Sequence, residues 1–250
     1  MKTAARRFLT ALALGAAVAL PLLPAAAGNS GGDKVVVELF TSQGCSSCPP
    51  ADALLAELAE RDDVIALSFH VDYWNYIGWT DPFSSPQATA RHRAYGRALG
   101  RAYVYTPQMV VDGRAETVGS NRRAVDSLIR MAGGARKLAI EVAHPGDGTA
   151  VLRLPAASGG WAGDADVWIG FYDENRSTDV AAGENRGVRV VNANVVRVFR
   201  RVARWTGAPL ERALDLEALG AGGRDGCVIV VQATGSGPIL AAAAFPLAGN

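Results

Sequence analysis

The chain has 250 residues, of which 49% are hydrophobic and 20% are charged. This composition is typical of globular proteins and argues against wholesale disorder, a collagen-like repeat or a coiled coil. The 25 Lys and Arg residues nearly balance the 24 Asp and Glu residues, so the charge does not indicate a nucleic-acid-binding protein, which would need a basic stripe.

The first 27 residues have the pattern of a secretory signal peptide. Lys2, Arg6 and Arg7 precede an apolar run over 8–23, and Ala25-Ala26-Ala27 follows. A basic start, a short apolar stretch and small residues at the end predict cleavage after Ala27. The alternative is a membrane anchor, but a stable span needs about 20 apolar residues. We therefore expect a periplasmic or secreted protein with no stable membrane span after cleavage.

Residues 34–134 alternate apolar strands with helices. Val35–Phe40 and Val64–Val71 are short apolar runs typical of buried strands, whereas apolar residues recur at helical spacing after Asp52. The predicted elements are a strand at Val35–Phe40, a helix at Asp52–Arg61, a strand at Val64–Val71, a helix at Gln87–Arg101, a hairpin of Gln108–Val111 and Arg114–Val118, and a helix capped at Ser120 or Asn121 that runs to about Met131.

Residues 137–250 have a different character, and Gly133-Gly134 marks a plausible boundary between two domains. Short strand-like runs separated by Gly, Pro and Asn/Asp turns indicate a β-sandwich. The predicted strands are Leu138–Ala143, Thr149–Leu154, Asp166–Tyr172, Asn194–Ala203, Cys227–Ala233 and Ile239–Phe245.

The motif with the clearest chemistry is Cys45-Ser46-Ser47-Cys48, between a strand and a helix. A helix start favours the thiolate form of the first cysteine. A spacing of two residues lets the second thiol resolve a mixed disulfide. The alternatives are a static disulfide and half of a zinc site, which would need two further ligands.

The third cysteine leaves an odd thiol in a chain that is expected to meet an oxidising compartment. Cys227 begins the apolar run CVIVVQA. We expect it to be a buried free thiol that behaves as a small hydrophobic residue.

Thr106-Pro107 precedes a strand, and the order of elements resembles a thioredoxin-like fold. Four longer segments narrow the resemblance: ELFTSQGCSSCPPAD, FHVDYWNYIGWTDPFSSPQ, VYTPQMVVDG, and GENRG followed by NVVR. Together they resemble the exported bacterial thioredoxin-like family known as domain of unknown function 1223. The resemblance implies an α/β thioredoxin-like domain with a helical insertion over 34–134, followed by a mainly-β, sandwich-like domain over 137–250. The resemblance also implies that the peptide bond before Pro107 is cis and that Thr106 faces the thiols. The two residues would then shape a substrate groove and keep metals away from the cysteines.

His70 and Asp72 end the second strand, where functional groups of a doubly wound sheet gather. They are candidates for an acid–base pair that moves protons during thiol exchange, and the alternative is a structural histidine. His70 with the two thiolates would also suit Cu(I). Tyr73, Trp74 and Trp79 follow, and they either line a substrate groove or pack the insertion onto the sheet.

Two charged segments of the second half have no assigned role. Residues 184–187 (ENRG) form a predicted loop that is expected to be a solvated turn, with contact to the first domain or to a partner as the alternative. The basic run Arg197, Arg200, Arg201 and Arg204 is expected to be solvated.

The sequence predicts an exported thiol–disulfide oxidoreductase-like protein that needs no cofactor and no resident metal. Cys45 would attack and Cys48 would resolve. Its partner would be a thiol- or disulfide-bearing protein or a small thiol, and not a nucleic acid. The alternatives are a non-enzymatic binding module with Cys45–Cys48 as a structural disulfide, and a copper(I)-binding protein.

Overall fold

A computed structural model describes residues 29–31, 33–144, 147–157 and 163–247. The predicted signal peptide over 1–27 lies outside the described residues. Across these ranges, no helix is long and apolar enough to cross a membrane.

The described residues form strands and helices that we number in chain order. The strands are β1 (Asn29–Gly31), β2 (Val35–Thr41), β3 (Val64–His70), β4 (Gln108–Val111), β5 (Ala115–Val118), β6 (Ile140–Ala143), β7 (Thr149–Leu154), β8 (Ala165–Asp173), β9 (Arg176–Asp179), β10 (Arg189–Asn192), β11 (Val195–Trp205), β12 (Leu210–Asp215), β13 (Gly226–Ala233) and β14 (Ile239–Pro246). The helices are α1 (Pro49–Ala59), α2 (Pro86–Ala98), α3 (Arg122–Gly133) and the short α4 (Leu216–Leu219), with a 3₁₀ turn at Asn75–Ile77.

All the strands and helices predicted from the sequence form, and their ends agree to within three residues. Asn121, one of the two predicted caps, accepts a hydrogen bond from the Ala124 N–H at the start of α3. The sequence reasoning missed β1, β9, β10, β12 and α4.

One eight-stranded mixed sheet runs through the molecule in the order β14-β13-β8-β11-β3-β2-β4-β5. β2 pairs with β3 in parallel, and every residue of both strands is buried. Burial on both faces explains why these strands read as continuous apolar runs instead of alternating ones.

The predicted fold class is wrong, because the strands of 137–250 continue the sheet of 34–134. β11 lies parallel to β3, with Val195 opposite Ser68. Asn194 fixes this junction: its carbonyl accepts from the Ser68 N–H at 3.0 Å, and its Nδ2 donates to the Ala66 carbonyl at 3.0 Å. The described chain is therefore mostly sheet and is not a thioredoxin-like α/β domain followed by a sandwich. The boundary at residues 134–137 stays a prediction.

Three cores surround the sheet. Helices α1 and α3 cover one face of β2, β3 and β4, and α2 covers the opposite face. The second sheet, in the order β1-β6-β7-β12, contributes its inner side chains to a core with β8, β13 and β14. The N-terminal end of α1 and the carboxyl ends of β2 and β3 thereby come together.

A buried charge network ties α2 to the sheet. Glu38 in β2 is 1% exposed, and its carboxylate accepts two hydrogen bonds from Arg91 of α2, at 2.6 and 3.0 Å. Tyr95 donates to the same carboxylate. Gln232 of β13 joins them by donating to the Tyr95 hydroxyl at 2.9 Å and accepting from Arg91 at 3.2 Å. The network therefore spans both halves of the chain.

Glu38→Gln leaves the buried Arg91 guanidinium without its counter-charge. Removing one partner of a buried ion pair costs about 3–5 kcal/mol, so we expect the free energy of unfolding in urea to fall by that amount. Glu57→Gln is the control, because Glu57 pairs with Arg122 on the surface, where such pairs contribute about 1 kcal/mol or less. Equal losses in the two variants would contradict the assigned role of the network.

Candidate functional site

Cys45 and Cys48 form a disulfide in the loop between β2 and α1, with their Cα atoms 5.4 Å apart. The loop is a tight turn, because the Cys48 N–H donates to the Cys45 carbonyl at 3.1 Å. Cys48 is the cap residue of α1, and Pro49 and Pro50 occupy the first turn, where a missing N–H leaves no bond unmade. The predicted position of the pair at a helix start is confirmed.

The first cysteine touches two hydroxyl groups. Thr106 Oγ1 donates to Cys45 Sγ at 3.3 Å, and Ser47 Oγ lies 3.4 Å from the same sulfur. The Thr106–Pro107 peptide bond is cis, which confirms that expectation. Cys45 is 2% exposed and Cys48 is fully buried. The disulfide is thus close to the surface, but little of it reaches solvent.

The aromatic segment after β3 packs beside the disulfide loop. Trp74 Nε1 donates to Thr106 Oγ1 at 2.8 Å, and Trp79 Nε1 donates to Gln43 Oε1 at 3.2 Å. Tyr73 stacks its ring on His92 at a centroid distance of 6.2 Å, and it also lies beside Thr106, whose hydrogen bond opposes the rise of the Tyr73 pKa caused by burial. Both tryptophans are partly exposed, so they pack against the site and also form part of its surface.

A loop from the second half of the chain holds the disulfide loop from the other side. Asn185 is buried, and its Nδ2 donates to the carbonyls of Gln43 and Cys45 at 2.9 and 3.0 Å. The Glu184 carboxylate accepts from the Ser46 N–H at 3.2 Å. The alternative, contact with the first half of the chain, is therefore confirmed for Glu184 and Asn185, while Glu184, Arg186 and Gly187 are exposed, as expected of a solvated turn.

The two predicted acid–base residues have different partners. His70 is buried, and its Nδ1 lies 2.7 Å from Asp81 Oδ2. Asp72 binds Thr89 of α2 instead, accepting from its hydroxyl at 2.6 Å. Asp81, in the loop after the aromatic segment, also accepts from the Gln43 N–H at 2.8 Å. Asp81 therefore links His70 to the disulfide loop, and the sequence reasoning did not identify it.

Asp52 is a buried carboxyl group one helical turn after Cys48. Its backbone N–H donates to the Cys48 carbonyl at 3.1 Å, and the residue is 3% exposed. Burial is the main cause that raises its pKa, from 3.8 to about 7, although the nearby His70 opposes the shift. The sequence reasoning missed this group because an Asp in a first helical turn resembles an ordinary helix-stabilising residue.

Unpartnered polar atoms surround this carboxyl group. Among the described residues, the buried atoms without a hydrogen-bond partner include Asp52 Oδ1, Thr41 Oγ1, His70 Nε2 and Asn192 Nδ2. The charge of His70 and hydrogen bonding by Thr41 and Asn192 lower the Asp52 pKa, so the four side chains are neighbours. Buried polar groups are normally paired, and strict hydrogen-bond geometry leaves Asp52 Oδ1 and His70 Nε2 as exceptions in this cluster.

The residues of the copper alternative have other partners in the disulfide-bonded structure, and that alternative stays a prediction. Among the described residues, His, Cys, Asp and Glu side chains do not form a group of three that could hold a metal ion. His70 has Asp81 as its partner, and the two sulfurs are bonded to each other.

Cys227 is a free thiol in β13 and is fully buried. Burial raises its pKa, which disfavours the thiolate and its reactivity. The prediction of a buried free thiol is confirmed.

Comparison with known proteins identifies relatives but no activity. A family description, "Protein of unknown function (DUF1223)", matches residues 36–232. A crystal structure of a protein from Agrobacterium tumefaciens is similar at 36% identity and a TM-score of 0.71, covering 86% of this chain and 94% of that chain. HBP35 of Porphyromonas gingivalis is similar in fold, at 15% identity and a TM-score of 0.57, covering 87% of this chain and 76% of that one. No curated protein matches the chain.

Asp52→Asn tests the buried carboxyl group through stability. The Asp52 pKa is about 7 in the folded chain and near 3.8 without burial, so the folded state binds more protons between these values. Stability from this group is present at low pH and is lost as the pH rises to about 7, by up to about 1.4 kcal/mol per pH unit. We therefore measure urea unfolding of the oxidised proteins. We expect the free energy of unfolding of the Asp52→Asn variant, relative to that of wild type, to increase as the pH rises from 3.8 to about 7.

The comparison between variant and wild type also removes the contribution of another buried group. Burial lowers the pKa of His92 to about 4, so this residue destabilises both proteins as the pH falls below about 6.5. Glu57→Gln, at an exposed position of the same helix, is the control. A pH-independent difference between Asp52→Asn and wild type would contradict the raised pKa.

Asn185→Ala tests the loop that holds the disulfide. The substitution removes the Asn185 donor from the buried Gln43 carbonyl and one of the two donors from the Cys45 carbonyl, which costs about 1–3 kcal/mol, and it loosens the turn that contains Cys45. We expect dithiothreitol to reduce the disulfide faster in this variant than in wild type. Arg186→Ala, at the exposed neighbouring position, is expected to leave the rate unchanged. Equal rates in the two variants would show that the loop does not control access.

Proposed function

This chain belongs to the DUF1223 family, and from that premise we propose that it is an exported thiol–disulfide oxidoreductase, periplasmic or secreted, that uses the Cys45–Cys48 pair. Its substrate would be a thiol- or disulfide-bearing protein or a small thiol. The family carries no activity to transfer, so the proposal rests on the chemistry of this chain's own side chains.

The buried carboxyl group of Asp52 is the observation that carries the proposal. A structural disulfide needs no ionisable group beside it, and a buried carboxyl group with an unpartnered oxygen lowers stability. A dithiol that resolves a mixed disulfide does need a proton acceptor, because the thiolate is the attacking form. An acid with a pKa of about 7 suits that task near neutral pH.

The proposed reaction balances without a cofactor. In the reducing direction, the Cys45 thiolate attacks a substrate disulfide, forms a mixed disulfide and releases the first substrate sulfur as a thiolate. Cys48 then gives its proton to Asp52, and the Cys48 thiolate attacks Cys45 Sγ. The second substrate sulfur leaves with the electron pair, and the Cys45–Cys48 disulfide forms. The same steps in reverse oxidise a substrate dithiol.

Neighbouring groups would assist the first cysteine. The Thr106 hydroxyl, 3.3 Å from Cys45 Sγ, would donate a hydrogen bond to the thiolate and so favour it. The N-terminal end of α1 has the same effect. Trp74 Nε1 donates a hydrogen bond to the same Thr106 hydroxyl and so helps to orient it. We propose that Trp74, Trp79 and the cis Pro107 form the surface against which a substrate segment lies, with Tyr73 behind them.

In this proposal His70 keeps an acid–base role, but its partners are Asp81 and Asp52 and not Asp72. His70 faces Asp81 through Nδ1, while its Nε2 is unpartnered beside Asp52. We propose that His70 positions the Asp52 carboxyl group and exchanges its proton onward, with Asp81 orienting the ring. Asp72 is bound to Thr89 and would act through the placement of α2.

A structural disulfide is the second candidate function, and burial favours it. Cys45 is 2% exposed and Cys48 is fully buried, and Asn185 binds the same turn. In that case the pair would staple the loop, and the protein would act as a binding module.

The reduction potential of the pair separates the two candidates. Purified mature protein is equilibrated with dithiothreitol or glutathione buffers, and the fractions of oxidised and reduced protein are read by mass spectrometry. Exchange proteins have potentials between about −270 and −120 mV, whereas structural disulfides lie below about −300 mV. We expect a value in the range of exchange proteins. A value below about −300 mV would show that the disulfide is structural.

Asp52→Asn is expected to slow the resolving step. Loss of general acid–base catalysis costs about 100-fold or more, so decay of the mixed disulfide with a small thiol should slow by that order at pH 7. In wild type the rate should rise with pH through about 7, the pKa of Asp52, and in the variant this rise should vanish. Glu57→Gln is the control. An unchanged pH profile would mean that Asp52 is not the acceptor.

A further inference from the structure

Strand β11 has an open edge along most of its length. On one side it pairs with β8 from Val195 to Trp205, whereas on the other side it pairs with β3 only at Val195. Among the described residues, no further strand lies on that second side, and no backbone hydrogen bond joins residues 197–204 to a loop. The N–H and C=O groups of this edge are therefore available to an added strand.

The edge is open because the start of α2 takes the place of β11 beside β3. The Ser68 N–H of β3 donates to the Asn194 carbonyl, which precedes β11, at 3.0 Å, whereas the His70 carbonyl accepts from the Ser85 N–H at 3.0 Å. Every second residue of a strand directs its backbone groups to the same side, so Ser85 binds β3 where β11 would otherwise continue. β11 is thus displaced from β3 beyond Val195.

The displacement leaves a groove of about 690 Å³ between β11 and α2, within the range typical of binding clefts. Its helix wall is a single stripe of α2 at helical spacing, made of Gln87, Ala90, Arg91 and Ala94. Glu38 matches the charge of Arg91 within the sheet. The groove contains none of the residues proposed for thiol exchange.

One face of β11 turns apolar side chains into this groove. Phe199 lies opposite Gly170 of β8, and Arg201 lies opposite Trp168, so Phe199 and Trp168 share a face. Their rings stack with centroids 5.2 Å apart. A Cβ added at Gly170 would lie 2.9 Å from the Phe199 ring, so that ring leans over β8 and leaves the open edge uncovered.

The opposite face of β11 presents an unmatched positive charge. Arg200 lies opposite Ile169 of β8, on the face away from Phe199. It is exposed, and among the described residues no acidic side chain pairs with it, whereas Arg201 pairs with Asp166 at 3.1 Å. A strand added at this edge would therefore place alternate side chains beside Phe199 on one face and beside Arg200 on the other.

We propose that the open edge of β11 binds an extended peptide segment of a partner protein, in which apolar side chains alternate with acidic ones. The register between β11 and β8 shifts on either side of Val198–Arg201, so the added strand pairs with this regular run. Its apolar side chains enter the groove, and an acidic side chain lies opposite Arg200. A second copy of β11 is disfavoured, because its own arginines would lie against those of the first.

Two six-residue peptides test the charge preference on the oxidised mature protein by calorimetric titration. One alternates valine with glutamate, and the other alternates valine with lysine. We expect the glutamate peptide to bind saturably and at least threefold more tightly, the effect of one favourable cross-strand charge pair. Arg200→Glu should reverse this preference, whereas Arg212→Glu, at an exposed position of β12, should not. Equal affinities for the two peptides would overturn the proposal.

N-methylated forms of the glutamate peptide test whether its backbone pairs as a strand. Methyl groups on the valine nitrogens in one form and on the glutamate nitrogens in the other block opposite edges of the same strand. Only one edge faces β11, so we expect one form to lose affinity about tenfold or more, through several lost hydrogen bonds, and the other to keep it. Equal effects of the two forms would contradict strand pairing.

A pair of variants locates the site. Ala90→Trp fills the groove and is expected to abolish binding of the glutamate peptide, whereas Ala98→Trp, at an exposed position of α2 that does not line the groove, should bind normally. Equal effects of the two substitutions, or no saturable binding by wild type, would overturn the proposal. So would sedimentation that shows a dimer which Ala90→Trp dissociates, because a second copy would then occupy the edge. None of these results bears on the reduction potential of the disulfide, so the two proposals fail separately.

Discussion

A carboxylate in the middle of a strand that is buried on both faces constrains the whole molecule. Glu38 cannot stay charged in β2 without a counter-charge, and Arg91 of α2 supplies it. This requirement fixes α2 on the sheet. The segment between β3 and α2, which contains the tryptophans and Asp81, is then held at both ends, because Asp72 binds Thr89 within α2. One buried ion pair thus positions a side of the disulfide site.

The other side of the disulfide site is formed by a segment that follows about 140 residues later in the sequence. Asn185 donates to the turn of Cys45, and Asn192 of β10 accepts from Gln43 at 3.1 Å. Both residues belong to the segment that joins β8 to β11, and β11 enters the central sheet beside β3 through Asn194. A disulfide loop that looks local in the sequence is therefore held by residues from both halves of the chain.

Local features of this fold could be predicted from the sequence, and long-range choices could not. Apolar runs and caps place the main strands and helices, and the cysteine spacing places the redox motif. The pattern of apolar and polar residues along a strand does not say which strand it pairs with. The pairing of β11 with β3 could therefore not be predicted. β9 (RSTD) is polar and short, and it lacks any strand pattern. His70 was paired with Asp72, its neighbour in sequence, but chain folding brings Asp81 to it instead.

The buried ionisable groups of this protein differ in how completely they are paired. Glu38 has a full counter-charge, and burial keeps His92 neutral with a hydrogen bond to Gln108 at 2.7 Å. Cys227 lies in an apolar core, and burial raises its pKa, which disfavours the thiolate. Asp52 differs from all three, because it is buried, ionisable near neutral pH and incompletely paired. Selection for stability alone would favour an apolar residue here. A buried acid with an unpartnered oxygen one turn after a disulfide cysteine is therefore the feature of this site that packing alone does not explain.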